Sequence, residues 1–163
     1  MPALEKRDLH QAVLDALGSD VDSHGAVEAV PFVVKPKRVV QLAVWAFTVT
    51  SPPGGRHPLE SKIQIMVPGQ ARGERGSFQP TDDDTFAVLL GYKPEERIFV
   101  LWDAYKHANF AFSKNVQVRA EPLLHAMTFG TGRTTRRLAS GDETIIVARP
   151  DHLHQALSER VLT

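Results

Sequence analysis

Apolar residues recur at helical spacing near the N-terminus, where Leu4, Leu9, Val13, Leu14 and Leu17 form one stripe between charges and Gly18 closes it. Residues 19–25 are polar and read as a flexible connection, so 1–25 are expected to form a helical arm with its linker. Pro31 and Pro36 bracket an extended segment around Phe32, Val33 and Val34. From Arg38 the pattern turns to β. Residues 39–50 are rich in Val, Trp, Phe and Thr and free of Gly and Pro, which predicts a long strand. Ser51-Pro52-Pro53-Gly54-Gly55 breaks it, and 62–67 follow as a second strand. Residues 68–80 contain three Gly and two Arg, the composition of a mobile loop.

Residues 86–90 and 98–102 are unbroken apolar runs with a short polar connection, the pattern of an antiparallel hairpin deep in a core. Residues 115–119 alternate apolar and polar, as a strand with one wet face does. A helix is predicted over 121–129, with Pro122 early, Leu123, Leu124 and Met127 facing in, and Gly130 and Gly132 ending it. Residues 144–148 form a last strand, and Pro150-Asp151 opens a terminal helix with Leu153, Ala156, Leu157 and Val161 on one stripe. Six strands in a mainly sequential run, one early helix and two late ones predict an α+β class. Residues 26–163 are then a single domain built on a twisted, largely antiparallel sheet or a partly open barrel.

At 163 residues, with 42% hydrophobic and 23% charged side chains, the chain has the composition of a soluble globular protein able to bury its own core. Nineteen basic and 19 acidic residues cancel, so any nucleic-acid binding needs a local basic patch rather than overall charge. Cysteine is absent, which rules out disulfides and thiolate metal sites and suits a reducing compartment. The N-terminus lacks a signal-peptide pattern and no segment approaches the ~20 apolar residues of a membrane span. A cytoplasmic location without membrane contact is expected.

Candidate chemistry begins at Glu60-Ser61-Lys62-Ile63-Gln64, where carboxylate, ammonium and carboxamide alternate at a strand start and project together. A Glu-x-Lys pair on a strand is the half-motif with which PD-(D/E)XK nucleases hold magnesium and a scissile phosphate. It is equally what a solvated strand face looks like. The nearest earlier Asp is Asp22, while Asp82, Asp83, Asp84 and Asp103 lie downstream, so a nuclease would need a non-standard order. In that reading Glu60, Lys62 and Gln64 are catalytic, and Glu60 with Asp103 holds Mg²⁺. Otherwise no cofactor or metal is expected. The seven histidines form no metal signature, and neither a Walker loop nor a nucleophile elbow is present.

Basic segments flank the β region: Arg56 and His57, Arg72 and Arg75, and the 131–137 stretch with Arg133, Arg136 and Arg137, read as a loop. Hydroxyls, glycines and guanidinium groups together grip phosphate oxygens by forked hydrogen bonds. Trp102, Tyr105, Ser113, Lys114 and Asn115 mix aromatic and polar groups at a strand end, either as core or as a surface that stacks and reads a base.

The series from Arg56-His57-Pro58-Leu59-Glu60 through Leu89-Leu90-Gly91-Tyr92, Ile98-Phe99-Val100-Leu101-Trp102-Asp103, Ser113-Lys114-Asn115-Val116-Gln117-Val118 and Glu143-Thr144-Ile145-Ile146-Val147-Ala148-Arg149-Pro150 resembles a domain of bacterial restriction and related defence proteins. The likeness covers about residues 38–160. It implies action on foreign or modified DNA, alone or beside a nuclease or methyltransferase partner. The leading expectation is a DNA-recognition domain of a restriction-type defence system, with the sensing of modified bases as one option and the cationic and aromatic residues above as its contacts. A magnesium-dependent nuclease and a non-catalytic protein-interaction module are the alternatives. Oligomeric state is left open.

Overall fold

The computed structural model describes residues 4–50, 61–65, 78, 83–107, 114–139 and 141–163. They form three helices and nine strands. In chain order these are α1 (Lys6–Leu17), β1 (Val21–His24), β2 (Phe32–Pro36), β3 (Gln41–Thr48), β4 (Ser61–Ile65), β5 (Thr85–Lys93), β6 (Ile98–Trp102), β7 (Lys114–Val118), α2 (Ala120–Phe129), β8 (Thr131–Leu138), β9 (Gly141–Ala148) and α3 (Leu153–Leu162). Seven strands make one open sheet in the order β1-β2-β3-β5-β6-β9-β8, and β4 with β7 forms a separate two-stranded ribbon. Among these pairs only β3 and β5 run parallel. The α+β class, the largely antiparallel sheet, the one early helix and the two late ones all agree with the sequence pattern.

The unbroken apolar runs have a simple cause: the central strands are covered on both faces. Alternation sends Ala43, Trp45 and Phe47 of β3 to one face and Leu42, Val44 and Ala46 to the other. On the first face Ile98, Val100 and Trp102 of β6 pack under Ile63 of β4, Val116 and Val118 of β7, and Leu123 and Ala126 of α2. On the second, Phe99 and Leu101 meet Leu9, Val13 and Leu17 of α1 and Leu153, Ala156 and Leu157 of α3. The β5–β6 hairpin has the expected pairing, with Leu89 across from Trp102 and Lys93 across from Ile98. Phe78, within the segment expected to be a mobile loop, is buried 5.4 Å from the Trp45 ring centre.

Several expectations are corrected. The 131–137 stretch is not a loop but most of β8, the edge strand paired residue for residue with β9. Its threonines suit a pleated strand, and an edge tolerates polar residues on both faces. Residues 21–24, expected within a flexible connection, are β1 at the opposite edge. The arm itself lies against the sheet. The Leu4 amide donates to Thr48 Oγ1 at 2.9 Å, Lys6 Nζ donates to the Ala46 carbonyl, and the buried His10 ring stacks on Phe32 at 4.7 Å. Burial lowers the Lys6 ammonium to about 8. In α2, Leu124 and Met127 are exposed rather than inward; Pro122, Leu123 and Ala126 make the contact. No helix among the described residues is long and apolar enough to cross a membrane.

Gly132 does not end a helix; it lets α2 close onto β8. A Cβ there would fall against the Pro122 carbonyl oxygen, well inside contact distance, and 3.2 Å from the Ala126 nitrogen. Both are backbone atoms and cannot rotate away. Gly132→Ala is therefore expected to cost about 1–3 kcal/mol by overpacking, read as a lower urea midpoint with an unchanged m-value.

Candidate nucleic-acid interface

α2 joins β7 to β8 directly, so it brings the open edges of those two strands to one side of the molecule. Between them lies a cleft of about 430 Å³. Val118 and Ile145 form its apolar base, and Gln117, Arg119, Thr134, Thr135, Arg136 and Arg137 supply its polar wall. Arg119 is the exposed N-cap position of α2, and its guanidinium has no carboxylate partner among the described residues. Arg137 is 91% exposed and 3.9 Å from Asp142, itself exposed, a pair that water screens.

Arg136 is held differently. Its Nε donates to Glu143 Oε1 at 2.7 Å and one terminal nitrogen donates to the Gln117 carbonyl at 3.2 Å, bridging the cleft. Glu143 is the cross-strand partner of Arg136 and is fully buried. It also accepts from the Asp103 amide at 3.0 Å, and its Oε2 lies 2.6 Å from His107 Nε2. Burial alone would raise its carboxyl. The hydrogen bond and charge of His107, followed by those of Arg136, outweigh that and hold Glu143 below the usual carboxylate range. The result is a fixed buried anion that pins Arg136 through its Nε, while the Gln117 carbonyl holds one terminal nitrogen. Three arginines and two threonines thus line a space that can accept tetrahedral oxyanions.

Of the residues singled out in the sequence, Arg136 and Arg137 come together here. Lys62 of β4 stands directly across from Gln117. Arg133 does not line the cleft: it is hydrogen-bonded to Glu159 of α3. Trp102 is corrected from base-reading surface to core. It is fully buried, and its Nε1 donates to the Gln117 carbonyl at 3.0 Å, tying β7 to β6. Tyr105 is half exposed but lines a different cavity with Val40, Asp83 and Phe86, its hydroxyl accepting from the Ala87 amide at 2.9 Å. Asp103 caps the short turn after β6 by accepting from the Tyr105 amide and lies 3.9 Å from Arg160.

Gln64 lies in β4 across from Asn115, and Lys114 opens β7. Arg56, His57, Glu60, Arg72, Arg75 and Ser113 lie outside the described residues. Among the described residues no group of three or more His, Asp or Glu side chains is placed to hold a metal ion. Sequence reasoning missed Gln117, Arg119 and Glu143. The polar positions of the alternating 115–119 strand were the available signal for the first two.

Comparison with known proteins returns one family. The family model described as methylase-associated X1 matches residues 40–157, from the start of β3 into α3, and includes both walls of the cleft. No curated protein and no solved structure matches. More than half of the sequence is covered, and the chain belongs to the methylase-associated X1 family.

Proposed function

We propose that this chain is the DNA-recognition domain of a restriction–modification system, acting beside a methylase and gripping backbone phosphates in the β7–β8 cleft. The family description ties its members to methylases, enzymes whose substrate in such systems is DNA. The observation that carries the reading is the meeting of Arg119, Arg136 and Arg137 with Thr134 and Thr135 in one concave space on a molecule with no net charge. A neutral protein that concentrates cations in one place directs its binding to that place, and phosphates are what guanidinium groups and hydroxyls hold together.

Phosphate contacts release counterions, so duplex binding should weaken steeply with salt. Arg119→Ala combined with Arg137→Ala removes two exposed cations without touching the buried cluster. Each phosphate contact contributes about 0.9 to the slope of log affinity against log salt, so the double variant should lower that slope by roughly 2 and weaken every duplex alike. Arg133→Ala, outside the cleft, should leave the slope as it is. Titrations with unmodified and methylated duplexes read both the grip and any sensitivity to modification. Wild-type binding that is absent, or indifferent to salt, would remove the proposal.

A further inference from the structure

β4 and β7 pair as an antiparallel ribbon, with Lys62 across from Gln117 and Gln64 across from Asn115. The intervening Ser61, Ile63, Val116 and Val118 turn inward and are buried. Alternation therefore puts Lys62 and Gln117 on the opposite, outward side. Lys62 exchanges both its backbone hydrogen bonds with Thr50, at 2.8 and 2.9 Å. That makes Lys62 and Gln117 a non-hydrogen-bonded pair, the kind whose side chains approach most closely. Gln117 is exposed and belongs to the arginine cleft as well. One side of a two-stranded ribbon thus carries the amine of Lys62 beside the carboxamide of Gln117, which shares the cleft with Arg119 and Arg137.

We propose that this ribbon enters the major groove of duplex DNA and that Lys62 and Gln117 read base edges there. The inference rests on the cleft being a phosphate grip. The major groove admits a two-stranded ribbon, guanine presents two acceptors suited to Lys, and adenine presents a donor and an acceptor that a Gln or Asn amide matches. A phosphate accepts only, so it leaves the carbonyl half of a carboxamide unused, whereas a base edge uses both halves. The cations of the cleft are placed to hold the backbone bordering that groove. Charge complementarity and donor–acceptor chemistry together favour duplex DNA over an acidic protein surface.

The test takes the whole chain through selection from a duplex library with a randomised core. It compares wild type, Lys62→Met, Gln117→Leu and the Arg119→Ala/Arg137→Ala double variant. Wild type should enrich a definite motif containing guanine and adenine. Gln117→Leu should lose about tenfold discrimination at one position, with the salt slope of wild type because no charge is removed. The arginine variant should weaken all duplexes alike. An unbiased wild-type pool, or Lys62→Met and Gln117→Leu pools identical to wild type, would overturn the ribbon's role while leaving the phosphate grip intact. Failure of wild type to bind any duplex removes both.

Discussion

Glu143→Ala is expected to destabilise the domain by about 3–5 kcal/mol, because it strips the anion from a buried charge cluster and leaves its partners uncompensated. His107 loses its 2.6 Å partner in a site only 2% exposed, the Asp103 amide loses its acceptor, and Arg136 keeps only the Gln117 carbonyl. Urea denaturation reads the loss as a lowered midpoint. Glu143→Gln, which keeps the volume and one acceptor, should fall between the two. The pH dependence separates this site from others. A carboxyl held below its ordinary 4.5 binds fewer protons folded than unfolded, so its stabilisation is present above about pH 4.5 and is lost as pH falls through the depressed folded value. That acid branch should flatten in Glu143→Ala. His10, lowered from 6.5 chiefly by burial, makes the folded state lose stability as pH falls below about 6.5, and this earlier branch should survive in the variant. Equal midpoints for wild type and Glu143→Ala would show that the cluster holds nothing.

Trp102→Ala should cost about 3–5 kcal/mol through lost burial and the cavity left behind. Trp102 is among the largest fully buried side chains and packs against the bare backbone of Gly91, where a Cβ would lie 2.9 Å from the indole. Its Nε1–H bond to the Gln117 carbonyl is also one of the ties between the main sheet and the β7 wall of the cleft. Trp102→Phe keeps most of the packing and drops that bond, so it should cost about 1 kcal/mol for the lost hydrogen bond plus a small cavity term. In both variants the duplex affinity should fall further than the folded fraction does, because the wall that carries Gln117 and Arg119 loosens. A Trp102→Ala variant as stable as wild type would place the indole outside the core.

The interior of this fold was legible because its strands are covered twice. Phe86 to Leu90 and Ile98 to Trp102 read as unbroken apolar runs, and the hairpin between them followed. The two strands that escaped are the two sheet edges, β1 and β8. An edge is kept from sticking to other chains by polar and charged residues, so the feature that protects it also erases the period-two signal. Reading β8 as a loop had a direct consequence for the site. On a loop Arg133, Arg136 and Arg137 would act together, but on the strand Arg133 is held by Glu159 while Arg136 and Arg137 line the cleft. Glu143 was invisible as a site residue because its role comes from a register pairing with Arg136 that no local pattern encodes. The pairing of Lys62 with Gln117 was invisible in the sequence, because the two lie far apart along the chain and meet only through the ribbon.

The phosphate grip is tested most directly by the arginine side-chain Nε–H resonances of the labelled protein as a short DNA duplex is added at low salt. Arg119, Arg136 and Arg137 should shift progressively and return as salt is raised, while Arg133, already bound to Glu159 outside the cleft, should hold its position. Shifts confined to Arg133 and the α3 side, or no arginine shift at saturating duplex, would contradict a phosphate-binding cleft between β7 and β8.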